Sequence, residues 1–79
     1  MTLDEYQVLT RSPLFKAVYS ESNHWIDVIY YSHQFRQNLF ERGSEIVLEG
    51  DFASIWIGSF HVETIQKNDI VEIRLVEKR

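Results

Sequence analysis

Residues 44–79 constrain this chain most, because they divide into three stretches rich in β-branched and aromatic residues with a turn signal at each break. The stretches are 44–49, 54–64 and 69–77, and Gly50-Asp51 and Asn68-Asp69 stand between them. In the last stretch Val71, Ile73 and Leu75 fall on one side and Glu72 and Arg74 on the other; in the first, Ile46 and Leu48 are flanked by Glu45 and Glu49. Such alternation belongs to strands with one wet face. The middle stretch is apolar on both parities, which predicts a central strand covered on both sides, with Gly58 marking a bulge or bend inside it. The expectation is a C-terminal three-stranded antiparallel meander that curls towards a small barrel.

The N-terminal half carries helix signals. Thr2 and Glu5 form a capping-box pair, and Leu3, Tyr6 and Leu9 recur at helical spacing, so a short amphipathic helix is predicted over 3–11, with Arg11 complementing its dipole. Ser12-Pro13 then ends that helix or opens another turn. Residues 14–31 admit two readings: a hairpin, with strands 15–20 and 25–31 about Glu21-Ser22-Asn23, or one long helix from an Asn23 cap to Arg42. The β-branched and aromatic content of 25–31 favours the strand. Ser32 is placed to cap a second helix over 33–42, where Phe35 and Leu39 share a face and Gly43 stands as its terminator. The predicted class is α+β, a single domain over residues 1–79.

A chain of 79 residues buries only about 60–65% of its unfolded surface, so it needs a dense core or a partner. The 44% apolar and 14% aromatic content supplies such a core and lies far from the composition of disorder. Twelve acidic against eight basic side chains give a net charge of −4, which disfavours nucleic acid as a partner. With no cysteine there are no disulfides, thiolate nucleophiles or thiolate metal ligands. Acids near the N-terminus do not fit a signal peptide, and no apolar run reaches the ~20 residues of a bilayer span. The expected location is the cytoplasm, away from the membrane. The turn Gln66-Lys67-Asn68-Asp69 with Ile70-Val71-Glu72-Ile73 resembles the last strands of SH3-like and OB-type small barrels, a short stretch without a functional motif.

No residue pattern points to catalysis. His24, His33 and His61 lack zinc-motif spacing, and the acids at the turns, Glu49 with Asp51 and Glu63 with Asp69, are pairs that twelve acids in 79 residues produce by chance. The serines have no nucleophile-elbow context, and the three glycines are too dispersed to cradle a phosphate. No cofactor or metal is expected. The unusual feature is the density of rings between Trp25 and Phe40, with Arg36 among them. Trp, Tyr and Arg dominate binding hot spots, and strand alternation cannot hide Tyr30 and Tyr31 on one face. Trp25, Tyr30, Tyr31 and Arg36 are therefore the candidate protein-binding residues. The expected function is a non-catalytic protein-binding module, such as a small regulatory adaptor or an inhibitor of a larger protein, with homodimerisation through strand edges compatible with it. Two alternatives from other classes are a small nucleic-acid-binding barrel and an enzyme with an unrecognised site.

Overall fold

The computed structural model describes residues 1–20 and 22–79. Among them, two short helices lead into six strands, which form two three-stranded antiparallel sheets. The class is α+β, as the sequence predicts.

Helix α1 spans Leu3–Thr10, and both halves of its capping box are made: the Glu5 N–H donates to Thr2 Oγ1 at 3.1 Å and the Thr2 N–H to Glu5 Oε1 at 3.4 Å. Tyr6 is its buried residue, and Leu3 packs beside the core, whereas Leu9 is turned out to solvent. Helix α2, Pro13–Val18, occupies residues expected to begin a strand. Ser12 caps it and Pro13 takes the first helical position, where its missing N–H removes nothing. The predicted 15–20 strand is thus absent, and Glu21 of the predicted turn lies outside the described residues.

Strand β1, His24–Ser32, confirms the β reading of 25–31 and rules out the long helix. It is the centre of the first sheet, between β2 (Gln37–Gly43) and β6 (Ile70–Glu77). The second helix predicted at 33–42 is replaced by one turn and a strand. Ser32 does cap: its Oγ accepts from the Phe35 N–H at 3.2 Å, and the Arg36 N–H donates to Ser32 O at 2.7 Å. Arg36 then takes a left-handed φ of 54°, which stops the turn from propagating. Beyond it, β2 folds back on β1, with Phe40 opposite Ile29 and Arg42 opposite Asp27. Cross-strand pairing outweighs a local helical preference that only packing would have sustained.

The second sheet is a meander of β3 (Glu45–Glu49), β4 (Phe52–Ile57) and β5 (Phe60–Gln66). The predicted 54–64 strand is therefore two strands. Gly58, at φ 58°, opens a two-residue turn that pairs Ile57 with Phe60 instead of bending one strand. Gly50 plays the same part between β3 and β4. After a 3₁₀ turn at Lys67–Asp69, β6 leaves the second sheet and pairs with β1. The middle segment is not covered on both sides, since Ile57 and Phe60 are exposed. The sheets are not closed into a barrel.

The core lies between the sheets: Ile26, Val28 and Ile73 from the first meet Ile55 and Ile65 from the second, with Tyr6 of α1 closing one side. Val28, Ile55 and Ile73 have no exposed surface. Along the edge of β6, the Met1 ammonium donates to Ile73 O at 2.8 Å and the Ile73 N–H to Met1 O at 2.7 Å. Where β2 passes into β3, Gly43 approaches so near to β4 that a Cβ there would strike Ile55 Cγ2 and stand 3.0 Å from Trp56 O. Ser44, the next residue, is buried; its N–H donates to Trp56 O at 2.8 Å and its hydroxyl accepts from the Gly58 N–H at 3.4 Å.

Gly43→Ala should accordingly lower the unfolding free energy by about 2–3 kcal/mol through overpacking. Gly58→Ala, with nothing within 4 Å of its added Cβ, should lose only the ~1 kcal/mol of a left-handed φ. Urea titrations of both variants, followed by tryptophan fluorescence, give the comparison.

Candidate protein-binding surface

Residues directly opposite in antiparallel strands share a face, so the register of the first sheet sorts its side chains. Ile26, Val28 and Tyr30 of β1 point inward with Leu75, Ile73 and Ile70 of β6. Trp25, Asp27, Ile29 and Tyr31 point outward, joined by Phe40 and Arg42 of β2 and by Glu72, Arg74 and Val76 of β6. Phe40 is 61% exposed and Tyr31 is 38% exposed, so the outer face presents rings to solvent.

Charged side chains cross the middle of this face. Arg42 grips Asp27 with two hydrogen bonds, Nε to Oδ1 at 2.7 Å and Nη2 to Oδ2 at 2.9 Å. Arg74, on the far side of Asp27, binds Glu72 in the same forked manner at 3.0 and 3.1 Å. The hydrogen bonds it donates to Asp27 hold the Arg42 guanidinium above its ordinary pKa; those donated to Glu72 do the same for Arg74, and the Glu72 carboxyl is held below its usual range by accepting them. On one side of this row stand Ile29, Phe40 and Tyr31. On the other, Trp25 lies opposite Val76, with the Lys78 ammonium 4.0 Å from its ring centroid.

Of the residues singled out from sequence, Trp25 and Tyr31 lie on this outer face. Tyr30 does not: it packs half-buried beside the core, its hydroxyl making a long 3.5 Å hydrogen bond to Glu41 Oε1. Burial, reinforced by the negative charges of Glu41 and Glu63, raises its pKa above the ordinary 10.0. Arg36 stands at the tip of the β1–β2 turn. Ile29, on the same parity of β1, and Phe40, which the predicted 33–42 helix had placed elsewhere, complete the face, and only the strand register sets Phe40 beside Ile29. Helical spacing of Phe35, Leu39 and Phe40 concealed that signal.

The histidines are dispersed. His24 begins β1, His33 lies in the β1–β2 turn with Nε2 2.8 Å from Asp69 Oδ1, and His61 lies on β5 with Nε2 2.7 Å from Thr64 Oγ1. Among the described residues no group of three or more metal-ligating side chains is gathered. Two open clefts flank the core. One of about 270 Å³ lies under the helices, walled by the rings of Tyr6, Phe15, Tyr19 and His24, which meet edge-on or tilted. The other, about 490 Å³, lies at the opposite end among Tyr30, Phe35, Phe52 and the His33–Asp69 pair. No helix among the described residues is long and apolar enough to cross a membrane.

No family model matches the chain, and no curated protein or solved structure matches it.

Two measurements probe the surroundings of this face. Because the folded Tyr30 holds its proton to higher pH than the unfolded chain does, its contribution to stability is complete below pH 10 and is lost as pH rises through the folded value. Tyr30→Phe should therefore flatten the alkaline decline in stability above pH 10, as followed by urea unfolding across a pH series. Arg36→Gly, which relieves a left-handed φ, should leave stability unchanged or raise it by up to ~1 kcal/mol in the same assay.

Proposed function

We propose that this chain is a non-catalytic protein-binding module, in the manner of a small regulatory adaptor or inhibitor, whose contact surface is the outer face of the first sheet. One observation carries the reading: this face sets Ile29, Tyr31 and Phe40 beside Trp25 and Val76, with forked Arg42–Asp27 and Arg74–Glu72 pairs between them. Exposed rings around arginines held in place are the composition of binding hot spots, and little side-chain freedom is left to lose on association. Trp25, Tyr31 and Phe40 would anchor the partner, with Arg36 reaching it from the turn. Tyr30 would act from the other face, through the packing beneath β1. A net charge of −4 supports a protein partner over nucleic acid.

The test is capture of partners from native cell extract on immobilised wild-type chain and on a Tyr31→Ala/Phe40→Ala variant, with nuclease present. A stoichiometric protein retained by the wild type should be lost by the variant. Once that protein is purified, Phe40→Ala alone should weaken binding by about 2 kcal/mol, roughly thirtyfold, while far-ultraviolet circular dichroism stays unchanged. Equal retention by both chains would overturn the assignment of this face.

A further inference from the structure

The helical layer has an apolar surface of its own that the sheet-face reading leaves unused. On α1, Leu3, Tyr6 and Thr10 turn towards the protein, and the opposite side is formed by Asp4, Val8 and Arg11. These are spaced four and three residues apart, so they form one stripe along the helix. Arg11, the C-cap residue, keeps helical backbone angles of φ −83° and ψ −12°, which continues the stripe past the last turn. Val8 is 67% exposed; Leu9 beside it is also exposed, as are Leu14, at 75%, and Val18 on α2. A shallow apolar groove over α1 is lined by Asp4, Glu5, Val8 and Leu9.

The order of charges along the stripe singles out an occupant. Asp4 stands at its start and Arg11 at its end, with Val8 near the midpoint. Helices related by a two-fold axis perpendicular to them run antiparallel, and such an axis passing beside Val8 sets Asp4 of each copy against Arg11 of the other. The same rotation stacks the two Val8 side chains at the centre. The stripe is thus complementary to itself in both charge and apolar content. A basic or an acidic helix from another protein would match only one of its ends.

We propose that a second copy of this chain docks on α1, forming an isologous antiparallel helix pair centred on Val8 and closed by two Asp4–Arg11 contacts. This contact is separate from the outer face of the first sheet and does not depend on its role.

Sedimentation velocity of the whole chain, from low-micromolar to near-millimolar concentration, tests the proposal with three variants. The wild type should pass from monomer to dimer with rising concentration. Asp4→Arg alone sets arginine against arginine, and Arg11→Asp alone sets aspartate against aspartate, so each should weaken self-association about tenfold. Mixed in equal amounts, these two variants should associate with each other as tightly as the wild type does with itself, because both contacts then again join opposite charges, one of them with its sign reversed. Val8→Lys should abolish the dimer in every combination. All three positions are solvent-facing, and circular dichroism should report an unchanged fold. A wild type that stays monomeric throughout overturns the proposal. So does a dimer indifferent to the three substitutions, which would place self-association on a strand edge, and so does a mixture that fails to regain affinity.

Discussion

One point of contact holds the two sheets in their relation. At Gly43 the chain leaves the first sheet for the second, and only hydrogen fits between its α-carbon and Ile55. Close approach there brings Ile55 of β4 within the same cluster as Ile26, Val28 and Ile73. Protein interiors pack as densely as organic crystals, so a crossing that stood farther off would leave a void along the whole seam. Ser44 completes the junction, since its buried polar groups are answered by Trp56 and Gly58 in place of water. Among the described residues no ladder joins the two sheets, and Tyr6 of α1 packs into the core between them.

The same arrangement explains why the first sheet keeps a face uncovered. Both helices precede β1, and Tyr6 and Leu3 draw α1 into the seam between the sheets. The outer face is left to its own side chains, which hold one another: Arg42 on Asp27, Arg74 on Glu72, Lys78 over Trp25. Exposed ion pairs of this kind add little stability. Their effect is to restrict arginine side chains that would otherwise sweep across Ile29 and Phe40.

Much of the architecture was legible in the sequence where the signal was local. The Thr2–Glu5 capping box, the glycine turn at Gly50 and the strand at 25–31 all rest on neighbouring residues, and all are present. Residues 33–42 misled because their local signal is sound but brief: Ser32 caps one turn, and the decision between helix and strand then passes to β1, which periodicity within the segment does not register. At Gly58 the sequence marks a break without stating its depth, and a two-residue reversal and a bulge use the same residue. Of the candidate face, Trp25 and Tyr31 were readable from alternation along one strand. Phe40 was not, because its place beside Ile29 is a property of register between strands.

The pairing of β1 with β6 has a consequence for how the chain comes together. The second sheet is built from neighbours joined by two-residue turns, so its loops are short to close. Strand β1 gains β2 as readily, but its other flank stays empty until β6 has been made, after the whole of the second sheet. During synthesis on the ribosome, Val28 would therefore remain without Ile73 beside it until all of the second sheet has emerged. The half-sheet that waits is the one whose side chains form the heart of the core. In the growing chain, the residues most fully hidden at the end are thus among the last to be covered.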